Sequence, residues 1–166
     1  MTRYIFSITG LFACLNLFSQ QMCDSVSQTN KVLLQNFWAE FKNAINNKDT
    51  AKLSSLCRFP FNCDYCILDT THPSHKPFIK VTKTSFYKSQ YKIFFAEKLI
   101  KEVNKYDFPK DIFILKPYYN TYDKKCSYSF GYPVLEENEQ HPGLGHYFDI
   151  QKINGKFKII SSWTIP

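Results

Sequence analysis

Arginine is almost missing from this chain. Arg3 and Arg58 are the only two among 21 basic residues, and the other nineteen are lysine. Paired recognition of phosphates and base edges favours the planar guanidinium. A net charge of +7 carried by lysine therefore points to a solvated basic surface and away from nucleic acid as a partner. Long apolar runs are also lacking beyond the first eighteen residues. Nothing later approaches the roughly 20 apolar residues that a membrane-crossing helix needs, so no transmembrane segment is expected. Internal repeats and low-complexity tracts are absent too, which argues against a solenoid or a disordered tail.

The chain opens MTRYIFSITGLFACLNLFSQQ. Arg3 provides a short positive region, Tyr4 to Phe18 carries no charge, and polar sequence follows. This reads as a signal peptide over residues 1–19, cleaved near Gln20. Leu11-Phe12-Ala13-Cys14 is a partial lipobox, but its phenylalanine fits poorly, so ordinary export is preferred to a lipid anchor at Cys14. Residues 20–29 then form a flexible segment, and residues 30–166 a single domain large enough for a real core. The expected compartment is periplasmic or extracellular.

Export places the remaining cysteines, Cys23, Cys57, Cys63, Cys66 and Cys126, where disulfides persist. Five is odd, so at most two bridges form within one chain. Cys63 and Cys66, with His72 and His75, superficially resemble a four-ligand zinc site. The two pairs are too close along the chain for the usual arrangement, and oxidation competes with thiolate coordination. A stapled loop is the preferred reading, and no metal or cofactor is expected. Residues three apart in an extended strand are about 10 Å apart, beyond bridging range. Cys63 and Cys66 therefore join each other only across a turn; otherwise they seek partners such as Cys57 and Cys126.

Apolar spacing predicts a helix over Asn30–Asn46, capped by Asn30, and a short second helix capped by Asp49. A third starts at Thr84 or Ser85 and is continued or restarted through AEKLIKEVNK. Strands are expected at residues 59–68, 78–81, 111–119, 126–135, 144–153 and 156–165. Asn154-Gly155 marks a tight hairpin between the last two. The total is an α+β domain.

FWAEFKNAINNKDTAKLSSLCRFPF, VTKTSFYKSQYKIFFAEKLIKEV and YFDIQKINGKFKIISSWTI resemble the opening, third helix and closing hairpin of the nuclear transport factor 2-like superfamily, in its small exported bacterial form. The resemblance implies three helices against a strongly curved antiparallel sheet of five to six strands, a cone with a pocket at its open end. In enzymes of that superfold an Asp or Glu base sits in the pocket, often beside Tyr or His. Asp64, His146 and Asp149 are the weak catalytic candidates here. His146 and Asp149 are three apart and fall on opposite faces of a regular strand, so they do not form a dyad without a bulge. Trp38, Phe41, Tyr91, Phe94, Tyr128 and Trp163 are the expected pocket lining, with core packing as the default for such rings.

Two functions from different classes remain. One is a non-catalytic module binding a small apolar ligand or a partner protein; the other is a pocket enzyme of lyase or isomerase type using a buried Asp or His. The first is favoured. A dimer is compatible with either.

Overall fold

The computed structural model describes residues 23, 28–66, 79–108, 117–120, 125–136, 138, 140 and 142–165. The expected signal peptide, Cys14, His72 and His75 lie outside them. Helix α1 spans Gln28–Asn46 and buries Leu34, Phe37, Trp38, Phe41, Ala44 and Ile45, which recur at the three- and four-residue spacing of one helical face. It begins two residues before Asn30. That side chain is thus inside the first turn rather than at the cap, and its Oδ1 accepts from Lys152 Nζ at 3.2 Å. Helix α2, Thr50–Leu56, starts where Asp49 Oδ1 accepts from the Lys52 backbone N–H at 2.8 Å.

The third expected helix is three pieces: α3 at Lys83–Lys88, a 3-10 turn at Gln90–Phe95, and α4 at Glu97–Asn104. Its start is set by Thr82, not by Thr84 or Ser85. Ser85 N–H donates to Thr82 Oγ1 at 3.1 Å, and Thr82 N–H donates back to Ser85 Oγ at 2.9 Å. Paired amide bonds at 2.9 and 2.8 Å between Asn46 and Asn104 pin the ends of α1 and α4 together. Among the described residues no helix is long and apolar enough to cross a membrane.

Six strands, β1 Cys57–Cys63, β2 Ile79–Val81, β3 Pro117–Asn120, β4 Lys125–Leu135, β5 Leu144–Ile153 and β6 Lys156–Ile165, form one sheet in the order β2-β1-β6-β5-β4-β3. The sheet expected to be antiparallel is mixed, because β1 runs parallel to β6. These two strands enter the sheet from opposite ends of the chain, so no hairpin turn forces them to oppose. At the β5–β6 turn Asn154 and Gly155 have φ of 49° and 79°, the left-handed pair of a type I′ hairpin.

One face of the sheet packs on the helices. Phe130 and Phe148 stack at 5.1 Å, Phe94 and Phe148 at 5.2 Å, and Phe41 meets Phe130 edge-on at 5.4 Å. Phe148 sits at the centre of this group and is fully buried. Phe148→Ala is expected to cost about 3–5 kcal/mol in urea denaturation, whereas Tyr87→Ala, at an exposed ring, should stay within about 0.5 kcal/mol.

Candidate functional site

The β5–β6 hairpin decides which residues meet. From its turn the pairing runs Ile153↔Lys156 to Ile150↔Ile159, then slips to Asp149↔Ser161, leaving Ile160 as an extra residue in β6. Beyond this bulge Phe148 faces Ser162, Tyr147 faces Trp163, and His146 faces Thr164. On the other side of β5, Tyr132 of β4 is opposite His146. Partners share a face, so Tyr132, His146, Ser162 and Thr164 extend the helix-packed face of Phe130 and Phe148 toward one end of the sheet.

The bend after β1 closes over that end. Cys63 and Cys66 are bridged, with their Cα atoms 5.5 Å apart, so the chain does turn at Asp64-Tyr65 as their pairing requires. Asp64 Oδ2 accepts from the Thr164 backbone N–H at 2.7 Å and from Thr164 Oγ1 at 2.8 Å. The Tyr65 ring stacks on the His146 imidazole at 3.7 Å with 17° between planes. Ser162 Oγ donates to the Tyr65 hydroxyl at 2.6 Å. Tyr132 Oη lies 3.1 Å from His146 Nδ1. Asp64 Oδ1 is buried and has no hydrogen-bond partner among the described residues.

Electrostatics follow from this enclosure. Burial pushes the Tyr65 phenol up, with the Ser162 bond opposing and Tyr132 and Asp64 adding to the rise. Burial likewise pushes Tyr132 up to about 12. The His146 imidazole is pushed down to about 4 by burial, against the pull of Asp64. At neutral pH both phenols are protonated and the ring is neutral. With the Tyr132 hydroxyl donating to Nδ1, the ring proton sits on Nε2. In that tautomer Nε2 is a donor, while Asp64 Oδ1 is an acceptor buried behind the Tyr65 and Thr164 contacts.

The other expected site residues lie elsewhere. Asp149 is on the opposite face from His146, where its carboxylate accepts from Ser129 Oγ and, at 2.5 Å, from Ser161 Oγ. It is a clamp on the bulge. Trp163, expected to line the pocket, stacks on Tyr147 at 4.6 Å on that same outer face, because the slip at Ile160 reverses its direction. Trp38, Phe41 and Phe94 are buried in ring contacts through Phe41, Tyr128 is buried against Phe157, and all four form core. Tyr91 is partly buried against Phe86 and Phe95. Tyr65, Tyr132, Ser162 and Thr164 escaped sequence reasoning; the one local signal was the position of Tyr65 inside the Cys63-x-x-Cys66 spacing.

The cysteines pair as Cys23–Cys126 and Cys63–Cys66, and Cys57 is free and buried. The sulfurs of Cys63 and Cys66 are occupied with each other, which removes them as thiolate metal ligands. Chain-entropy arithmetic assigns about 4–5 kcal/mol to closing the long loop and about 2 kcal/mol to the four-residue ring. Burial raises the Cys57 thiol, with Lys158 opposing.

No family model matches the chain, and no curated protein matches it. Among solved structures it is similar to a designed nuclear transport factor 2-like protein, with 13% identity and a TM-score of 0.38 over 81% of this chain and 94% of that one.

Two outcomes are expected. Of the five cysteines from Cys23 onward, only Cys57 should react with a thiol reagent in denatured, unreduced protein, and it should be blocked in the native state; five reactive thiols would contradict the bridges. His146 has a folded pKa near 4 against about 6.5 unfolded, so the unfolded chain binds more protons between those values. Its contribution to stability is complete above pH 6.5 and is lost as pH falls toward 4, about 1–2 kcal/mol once solvent screening of a half-exposed ring is allowed for. His146→Gln should flatten that part of the pH–stability curve.

Proposed function

We propose that this chain is an exported, non-catalytic binding module of nuclear transport factor 2-like type. Its site is the Asp64–Tyr65–Tyr132–His146 cluster. The observation carrying this reading is the neutral, half-buried His146, stacked on Tyr65 and bonded to Tyr132. A general base works best with a pKa near the working pH, and an imidazole near 4 is a poor one. As a fixed hydrogen-bonding group it suits recognition. The matching ligand is small and largely apolar, flat enough to lie against tyrosine, and carries one hydroxyl that accepts from His146 Nε2.

The two disulfides and the uncharged opening of the sequence support export. A proton-transferring enzyme of lyase or isomerase type is the second reading. The observation on its side is Asp64 Oδ1, a buried carboxylate oxygen without a hydrogen-bond partner among the described residues. Asp149 offers that chemistry no help from the opposite face.

Phenol is the probe. Titration monitored by NMR should shift the His146 ring signals saturably in the millimolar range, and toluene should shift them at least tenfold less per unit concentration. His146→Gln should weaken phenol binding about five- to tenfold. Phenol binding that leaves His146 undisturbed, or is equal for toluene, would overturn the assignment.

A further inference from the structure

The Cys63–Cys66 bridge encloses only two residues, Asp64 and Tyr65, and these are the two that the bend after β1 contributes to the site. Each is engaged across the sheet: Asp64 with Thr164, Tyr65 with His146 and Ser162. The Asp64 backbone N–H also donates to the Ser162 carbonyl at 3.3 Å. The bridge itself is fully buried at both sulfurs, so it is shielded from thiols in solution. A ring of four residues removes little chain entropy compared with the long Cys23–Cys126 loop. Its effect is therefore concentrated on local geometry. β1 ends at Cys63, and beyond it the turn that brings two successive side chains onto the neighbouring strands is closed covalently by the bridge, with the Asp64 and Tyr65 contacts depending on that geometry.

We infer that the Cys63–Cys66 bridge is the positioning element of the site: it holds the Asp64 carboxylate on Thr164 and the Tyr65 ring on His146, and without it both side chains withdraw. Cys63 and Cys66 touch no ligand and act through the two residues between them. The groups around His146 are Asp64 and Tyr65 from the bend, Tyr132 from β4, and Thr164 from β6. Of these, Tyr65 and Asp64 depend on the bridge, and Tyr132 and Thr164 are held by the sheet. Loss of the bridge thus removes the stacked ring that desolvates His146 while leaving its Tyr132 bond in place. The inference rests on the proposed site, but its main readout requires no ligand.

The test compares the oxidised wild type, Cys63→Ala/Cys66→Ala, and Cys23→Ala/Cys126→Ala as a control. In each, the His146 ring signal is followed against pH by NMR and identified by its disappearance in His146→Gln. Wild type and control should titrate together near 4. The Cys63→Ala/Cys66→Ala protein should titrate more than one pH unit higher and bind phenol at least tenfold more weakly. Coincident His146 titrations in all three proteins would overturn the inference. So would a rise in the control equal to that in the test variant, because the effect would then be general loosening. Cys66→Ser, which leaves Cys63 in its buried place, is the second variant; if both bridge variants fail to fold, the bridge is a stability element and the inference is wrong. A raised His146 titration in a protein whose wild type ignores phenol would retain the positioning role and discard the ligand.

Discussion

One extra residue in β6 organises this structure. With a two-residue turn at Asn154-Gly155 and no slip, His146 would pair with Trp163. The bulge at Ile160 moves every later residue of β6 to the other face. Ser162 and Thr164 come to the helix side, where they receive Tyr65 and Asp64, and Trp163 goes to the outside to stack on Tyr147. Asp149 sits at the slip and accepts hydrogen bonds from Ser129 and Ser161 on the strands to either side. That arrangement accounts for a nearly buried acid far from the polar cluster. Its charge is satisfied locally, and its position opposes a return to the regular register.

Along the helix-packed face, chemistry changes with distance from that hairpin. Tyr128 and Ile150 lie toward the turn, Phe130 and Phe148 in the middle, and Tyr132 with His146 at the far end. The middle is filled by phenylalanine rings from the sheet, α1 and the 3-10 turn, stacked or edge-to-face at separations typical of aromatic cores. Core side chains there are fully buried, so a cone in outline is a packed interior in substance. Polar side chains begin where the rings stop. The outer face carries its own packing device: the Tyr147 ring lies where a Cβ on Gly131 would come 2.7 Å from the His146 carbonyl oxygen and closer still to the ring. Glycine at 131 is required by that close approach.

Much of the fold was legible because it rests on local rules. The spacing from Leu34 to Ile45, the Asp49 cap and the Asn-Gly turn each name their own conformation, and β5 and β6 have the expected bounds. The site was legible only in fragments. Asp64 and His146 stand out as isolated polar residues in β-compatible sequence, but nothing local says that they are neighbours. Their meeting requires a parallel β1–β6 pairing and a one-residue slip, and neither leaves a mark in the sequence. Trp163 shows the same limit from the other side: its expected direction follows from a regular hairpin, and the bulge reverses it. The restart at Glu97 agrees with the sequence, but the earlier break at Ser89 is not marked there, because the apolar spacing of Phe86, Tyr91 and Phe94 persists through a tighter 3-10 turn.

The cluster at the end of the sheet draws on residues 64 and 65, 132, 146, 162 and 164, nearly the whole length of the domain. Such a site exists only when β4, β5, β6 and the bend after β1 are assembled, since each supplies one or two side chains and none supplies the geometry. Its backbone scaffold is correspondingly rigid: Tyr132, His146 and Thr164 are fixed by ladder pairing on successive strands. The bend that carries Asp64 and Tyr65 leaves the ladder at Cys63 and is tied to β6 by the Asp64 bonds to Ser162 and Thr164. Rigid on three strands and dependent on one short bend, the site concentrates its freedom at a single place. On the proposed binding role, ordering that bend in advance removes an entropy cost that a ligand would otherwise bear. A disulfide placed across those two residues acts where the sheet does not.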